Sequence, residues 1–211
     1  MSQKRFVGAK IVLIGSSGVG KTAFAVRYIT KRFIGDYDSD KEMLYTHKLP
    51  TARDEITLEI LDTASQSSKE VLEKHIRWGD GFIFLYSLIE KASIGYLNNM
   101  REVLEKIKGK DCPLVLVGNK SDLLSAREFS EEENNELDQR FDGAKFEISV
   151  ADGSQGVFEV MDELMCQIKR EFIKSINTGN VSTSDNKPRS KLYSMKKAFK
   201  KRINRSHSDT F

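Results

Sequence analysis

The chain has 211 residues, of which 39% are hydrophobic, and this is enough for one domain of ordinary size with a buried core and an extension. No apolar run approaches the ~20 residues that a membrane-spanning helix needs and no secretory signal is evident, so a membrane-embedded or secreted protein is not expected. The net charge of +3 is uneven, because residues 176–211 hold nine Lys or Arg against two Asp, and this predicts a basic tail on a mildly acidic body.

The predicted secondary structure alternates between strands and helices along most of the chain. Apolar runs rich in β-branched residues predict strands at residues 7–14, 43–49, 56–61, 82–86, 114–117 and 145–149. Helical spacing predicts helices at residues 22–34, 71–78, 96–107, 131–141 and 157–173. After the second strand this order is typical of parallel strands with crossover helices, whereas residues 50–54 read as a hairpin turn. We therefore predict an α/β fold: a six-stranded, mostly parallel sheet with one antiparallel edge strand and helices on both faces.

The first strand is followed by GSSGVGKT, residues 15–22, which fits the phosphate-binding pattern G-x-x-x-x-G-K-[ST] in full. Its glycines allow backbone N–H groups to close around phosphate oxygens, and the next helix adds its positive dipole end. Lys21 would reach the β- and γ-phosphates of a nucleoside triphosphate, and the Thr22 hydroxyl would ligate Mg²⁺. The residues assigned to nucleotide binding here are Gly15, Ser17, Gly18, Val19, Gly20, Lys21, Thr22 and Ala23.

The segment LVGNKSD, residues 116–122, follows the fifth strand and indicates which base is bound. A carboxylate there can accept two hydrogen bonds from guanine N1–H and its 2-amino group, whereas adenine offers an acceptor at N1. Asp122 is that carboxylate, while Asn119 and the stem of Lys120 can brace the loop and cover the ring. An N-K-x-D tetrapeptide alone is often just a turn, but its position after a P-loop favours a guanine site.

Four motifs together resemble those of the Ras-superfamily small GTPases, from about residue 10 to residue 174. GSSGVGKT, LDTASQ, GNKSD and EISVA match that family in order and spacing. The phrase TKRFIGDYDS is similar to the branch of the estrogen-regulated growth inhibitor and the Ras-like 11/12 proteins. The resemblance implies a P-loop NTPase fold with a Ras-like G domain at residues 1–175, and it implies GTP/GDP and Mg²⁺ as ligands. It also implies effector and regulatory proteins that bind at two switches, residues 36–45 and 65–78.

The family's functional residues can be placed on matching positions of this sequence. The resemblance implies that Asp62 of LDTASQ holds Mg²⁺ through water and that Gln66 orients the attacking water, with Lys21 as the second catalytic residue. Phe33 would lie against the guanine. The loop EISVA would support the base through Ser149, Val150 and Ala151.

Three substitutions depart from the family at groups that handle the γ-phosphate. Asp40 aligns with a threonine that ligates Mg²⁺, and a carboxylate about 4 Å from a phosphate at an effective dielectric near 20 costs on the order of 4 kcal/mol before the metal offsets it. Ser65 replaces a glycine and restricts the second switch. Ser17 stands where Ras proteins carry glycine, and many Rab-like members share it. In addition, Ala151 stands where a lysine is usual, so one contact around the base is lost.

Two functions stay open after these substitutions. The first is a slow GTPase switch that hydrolyses GTP with Gln66. The second is a pseudo-GTPase, an interaction module that binds guanine nucleotide without effective switching or hydrolysis, which Asp40 and Ser65 favour.

The end of the chain reads as a polar linker at residues 176–190 and a basic segment at residues 191–211. Its apolar residues fall on one face of a predicted helix with lysines and arginines around them: Leu192, Met195, Phe199 and Ile203. The alternatives are a solvated terminus or a helix that contacts anionic membrane, calmodulin or nuclear import factors. No prenylation motif is present, and no specific nucleic-acid binding is expected. We expect an intracellular, cytoplasmic protein with nuclear or peripheral membrane association through this tail.

Residues with reactive side chains outside these motifs carry little signal. Cys112 and Cys166 show no metal or redox spacing, and both are predicted to be core residues of a protein from a reducing compartment. Trp78 is predicted to pack in the core behind the second switch.

Overall fold

A six-stranded sheet with helices on both faces forms the part of the chain that the structure describes. The structure is a computed structural model and describes residues 5–35, 41–51, 55–65, 67–141 and 143–178, without side-chain placement at 131, 134, 135, 138 and 178. The strands are β1 Gly8–Ile14, β2 Met43–Pro50, β3 Glu55–Asp62, β4 Gly81–Ser87, β5 Leu114–Asn119 and β6 Ala144–Glu147. The helices are α1 Lys21–Thr30, α2 Lys69–Trp78, α3 Ala92–Lys108, α4 Glu131–Phe141 and α5 Gln155–Thr178, with a 3₁₀ turn at Leu124–Ala126.

The strands lie in the order β2-β3-β1-β4-β5-β6. All neighbouring pairs are parallel except β2 and β3, which pair antiparallel from Met43 opposite Asp62 to Pro50 opposite Glu55. The predicted fold class is therefore confirmed, including the antiparallel edge strand. Residues 52–54 of the predicted hairpin turn lie outside the described residues.

Helices cover both faces of the sheet, so a hydrophobic core forms on each face. Successive side chains along a buried strand point alternately into one core and the other. Ile11 and Leu13 of β1 face a core that also contains residues of α1 and α5. Val12 and Ile14 face the opposite core, which contains residues of α2, α3 and α4. Strand β1 is thus buried on both sides, and the loop that follows it emerges from the middle of the sheet.

Several element boundaries differ from the prediction, and the ends of α1 and β6 are the two that precede segments of the site. Helix α1 ends at Thr30 rather than at 34 because Lys31 adopts the left-handed conformation, with φ of 61°, and donates its N–H to the Arg27 carbonyl. Strand β6 ends at Glu147 rather than at 149, since beyond Ile148 the chain bonds to side chains instead of to the sheet. Helix α5 continues to Thr178, into the predicted linker. The rest of that linker and the basic tail lie outside the described residues, so the domain boundaries stay predictions.

The two cysteines differ in burial, and the prediction that both are core residues is wrong for Cys166. Cys166 is exposed on α5, where its neighbours Met165 and Ile168 face the core instead. Cys112 is half-buried against the second core, and burial raises the pKa of its thiol to about 11. Trp78 packs partly buried against that same core, with the Lys10 ammonium 5.2 Å from its ring centre. None of the described helices is long and apolar enough to cross a membrane.

The difference in burial between Cys112 and Cys166 predicts unequal thiol labelling in the folded protein. At neutral pH a maleimide should label Cys166 roughly tenfold faster than Cys112 or more, because the exposed thiol is accessible whereas the buried one forms little thiolate. Mass spectrometry of labelled peptides, with Cys166→Ser and Cys112→Ser as controls, measures both rates. Equal rates in the folded protein would contradict the assignment.

Candidate nucleotide-binding site

A cavity of about 430 Å³ opens at the carboxyl ends of the parallel strands, where α/β sheets usually bind ligands. It is formed by the loops after β1, β4, β5 and β6 together with the chain that follows α1. Its lining consists of Gly18, Gly20, Lys21, Thr22, Ala23, Phe33, Ile34, Gly35, Ile89, Asn119, Lys120, Asp122, Leu123, Val150 and Ala151. The cavity therefore brings together residues of the phosphate motif, the NKSD segment and the EISVA segment, which lie far apart in the sequence.

The phosphate loop, residues 15–22, depends on glycine where its backbone reverses. Gly18 and Gly20 have φ of 72° and 100°, which L side chains rarely adopt. A Cβ on Gly20 would also lie 2.3 Å from Nδ2 of Asn119. The side chain of Val19 between them is buried, whereas Ser17 is exposed on the outer side of the loop. The backbone of the loop at Val19 and Gly20 therefore lies directly against the side chain of Asn119.

Lys21 is buried inside the phosphate loop although it carries the loop's positive charge. The residue is 5% exposed, and its ammonium donates hydrogen bonds of 2.9 Å to the carbonyls of Gly15 and Ser16. Burial lowers the pKa of Lys21, and the nearby Asp62 carboxylate partly opposes this shift. A negatively charged ligand in the cavity would restore the stability of the charged form.

Thr22 and Asp62 form the second polar element of the phosphate side. The Thr22 hydroxyl donates to Oδ2 of Asp62 at 2.5 Å, and Oδ1 of Asp62 is buried with no hydrogen-bond partner among the described residues. Burial raises the pKa of Asp62, against the opposing effects of Thr22 and then Lys21. A hydroxyl beside an unpartnered carboxylate oxygen is a donor set that suits Mg²⁺, so the residues fit the predicted metal.

Asn119 joins the phosphate side to the base side. Its side chain donates to the Val19 carbonyl at 2.8 Å and accepts from the Val150 N–H at 3.0 Å, and the residue is only 4% exposed. The next residue, Lys120, has φ of 68° and so turns the chain sharply at the end of β5. This turn leaves Asp122 exposed on the cavity wall, with its carboxylate accessible to a ligand.

The segment at residues 148–153, which we call the base loop, closes the far side of the cavity. Oγ of Ser149 accepts the Asp152 N–H at 3.0 Å, so this side chain shapes the loop and does not line the cavity. The Ala151 carbonyl accepts a hydrogen bond of 3.1 Å from Nη2 of Arg27 on α1. Val150 and Ala151 both line the cavity.

Four cavity residues were missed by the sequence analysis: Ile34, Gly35, Ile89 and Leu123. Ile34 and Gly35 directly follow Phe33, which is 45% exposed and lines the cavity, and Leu123 follows Asp122, so adjacency in sequence could have found three of them. Ile89 follows β4, whose loop carries no motif. Only its position beyond the carboxyl end of a strand could have pointed to it.

The residues predicted to sense the γ-phosphate are described only in part. Asp40 and Gln66 lie outside the described residues, so their predicted roles stay predictions. Ser65 is half-buried just beyond β3. Glu42 and His75 connect the two switches, with Nε2 of His75 3.1 Å from the Glu42 carboxylate.

Comparison with known proteins identifies a family model and several relatives that match this chain. The model of the Ras family matches residues 10–170. The human Ras-related and estrogen-regulated growth inhibitor is 37% identical over 162 residues, which cover 76% of this chain and 81% of that protein. Ras-like protein rasB of Dictyostelium discoideum is 34% identical over 180 residues, with 84% and 89% covered. Ras-like protein family member 11A-like of Danio rerio is 33% identical over 171 residues, with 76% and 68% covered.

The bridge made by Asn119 yields a stability prediction. Asn119→Ala should lower the free energy of unfolding by about 2–4 kcal/mol, because the Val19 carbonyl and the Val150 N–H both lose their buried partner. Urea denaturation monitored by circular dichroism measures the change. The exposed Asn99→Ala on α3 is the matched control and should change stability by less than about 0.5 kcal/mol. Equal effects of the two substitutions would contradict the bridging role.

Proposed function

The chain belongs to the Ras family, and we propose that it binds GTP and GDP with Mg²⁺ and hydrolyses GTP slowly as a signalling switch. The resemblance inferred from four sequence motifs is confirmed by the family match and the relatives. Family membership makes the chain a GTP-binding signalling protein in general terms. The proposal adds the metal, the slow rate and the residue roles, and one observation carries it: a single cavity joins the Lys21–Thr22–Asp62 cluster to the exposed Asp122.

In this proposal each end of the cavity binds one part of the nucleotide. The N–H groups of the phosphate loop and the helix dipole of α1 attract the phosphates, and Lys21 exchanges contact with its own loop carbonyls for contact with phosphate oxygens. At the other end, Asp122 accepts hydrogen bonds from guanine N1–H and the 2-amino group, while Phe33 and the stem of Lys120 cover the ring. Ala151 and Val150 close the base loop around it.

Magnesium fits beside Thr22 and Asp62, as described above. The ion, when bound, neutralises phosphate charge as it develops in the reaction. Thr22 would hold it through the hydroxyl oxygen, whose proton is already donated to Asp62. Asp62 would act through water, and its buried carboxylate gains a positive neighbour that favours the ionised form.

Hydrolysis requires a water oxygen to attack the γ-phosphorus while the bond from that phosphorus to the β–γ bridging oxygen breaks. GDP leaves, and the water protons pass to phosphate oxygens. Gln66 is the residue proposed to orient this water. Lys21 stabilises the charge that collects on the bridging and γ oxygens.

The slow rate is supported by the two substitutions in the switches. Asp40 brings negative charge toward the triphosphate, and Ser65 restricts the backbone that must close on the γ-phosphate. The same two substitutions favour the second candidate function, a guanine-nucleotide interaction module without effective hydrolysis.

A single-turnover assay tests the switch. Purified protein should carry GDP or GTP, and chelation of Mg²⁺ with EDTA should speed its release, because the phosphates lose their counterion. Hydrolysis of loaded GTP by the wild type should exceed that of Gln66→Leu by roughly tenfold or more. The double substitution Asp40→Thr with Ser65→Gly should raise the rate further.

Three outcomes would decide against parts of this proposal. Equal, slow hydrolysis by wild type and Gln66→Leu, with the same switch protection in hydrogen exchange for GTP and GDP forms, would favour the interaction module. Release that EDTA does not change would contradict the Mg²⁺ site. Protein that retains no guanine nucleotide would contradict the whole function.

Effectors and regulators are proposed to bind at the switches. Strand β2 is the outer strand of the sheet, and Met43 and Leu44 at its start are 48% and 49% exposed. An exposed apolar edge strand beside the switches supports a protein partner at this surface.

The basic tail, residues 191–211, is proposed to bind anionic membrane weakly, with calmodulin and nuclear import factors as alternative partners. Its charge and predicted amphipathic pattern support this, and an electrostatic attraction to anionic lipid predicts salt-sensitive binding. Sedimentation of the full chain with vesicles should rise with phosphatidylserine content and fall at high salt, because the attraction is electrostatic. A chain truncated after Thr178 is the control. Binding that ignores anionic lipid would reject the membrane partner.

A further inference from the structure

Arg27 links the two ends of the nucleotide cavity from outside it. The residue lies in the last turn of α1, the helix that begins at Lys21 in the phosphate loop. From there Nη2 donates to the Ala151 carbonyl of the base loop, 124 residues further along the chain, at 3.1 Å. Arg27 does not line the cavity, so it would act on the nucleotide through the two segments that it connects, α1 and the base loop.

The hydrogen bonds that hold the base loop show what the contact from Arg27 adds. The Val150 N–H is held by Asn119, and Ser149 bonds within the loop to Asp152. The next residue, Ala151, is exposed, and its carbonyl is held from α1 by Arg27. Ala151 lines the cavity with a short side chain, so under the proposed nucleotide binding the position of its backbone would set how this part of the loop meets the base.

The burial of one guanidinium nitrogen indicates that packing alone does not explain this residue. Nε of Arg27 is buried and has no hydrogen-bond partner among the described residues. A buried donor without an acceptor destabilises the folded state, and an apolar side chain of similar size would avoid this. The charge at the helix C-terminus is favourable, but an exposed cation would supply it equally well.

We propose that Arg27 is a positioning residue that prolongs the lifetime of bound guanine nucleotide by fixing the base loop at Ala151. The inference rests on the proposed nucleotide binding and deepens it. Because α1 carries Lys21 and Thr22 at its start, Arg27 makes the base loop move with the phosphate site. The base can then leave only when this tie opens or when the phosphates are released with it.

Dissociation of a fluorescent GDP analogue tests this role. Arg27→Ala should release the nucleotide about three- to tenfold faster than wild type, which is the loss expected for one charge-assisted hydrogen bond that is partly exposed. Arg27→Lys keeps a donor on a long stem and should restore the rate to within about twofold. The matched control is Arg140→Ala, which removes an exposed arginine from the last turn of α4 and should leave the rate unchanged.

Hydrogen exchange in the GDP form separates positioning from general stability. In Arg27→Ala the amides of residues 149–153 should lose protection, whereas those of β1, β4 and β5 should keep it. Release at the wild-type rate, an equal effect of Arg140→Ala, or loss of protection throughout the sheet would overturn the proposal. Wild-type protein that retains no GDP would instead refute the proposed function itself, so the two failures are distinguishable.

Discussion

The buried side chain of Asn119 is the interaction on which the geometry of the site depends. Its amide bonds to one loop with its nitrogen and to another with its oxygen, so the loops after β1 and β6 keep a fixed separation. Parallel strands bring these loops to the same edge of the sheet, but the twist of a sheet does not set their spacing to within a hydrogen bond. Gly20 follows from the same constraint, because a side chain there would collide with the amide.

The phosphate side of the cavity holds two groups of opposite charge, Lys21 and Asp62, and burial disfavours the charged form of each. The pKa of Lys21 is lowered and that of Asp62 is raised, so burial moves each group toward its neutral form. Their mutual attraction offsets only part of this cost, and one oxygen of Asp62 has no partner among the described residues. An anionic ligand together with a cation would satisfy both groups.

Prediction from the sequence worked best where a local motif and the sheet topology act together. The glycines and Lys21 of the phosphate loop could be recognised from the sequence because phosphate binding needs them close together along the chain. The parallel sheet then predicts that Asn119 and Asp122 lie near them. Contacts that depend on three-dimensional packing were not visible in advance. Ile89 belongs to no motif, and Arg27 lies two turns into a helix, away from any motif. The exposure of Cys166 depends on how α5 is rotated against the sheet. The ends of α1 and β6 were also misplaced, since side-chain bonds and a left-handed residue stop these elements before the apolar pattern ends.

The two bridges across the site connect the phosphate loop and helix α1 to the base loop, through Asn119 and Arg27 respectively. The substitutions at Asp40 and Ser65 lie in other segments, which belong to the switches. Under the proposed function, retention of a nucleotide and discrimination between its two forms therefore draw on different parts of the chain. A substitution in one part would then change the lifetime of the bound nucleotide without changing the response to its γ-phosphate, and a substitution in the other part would do the reverse.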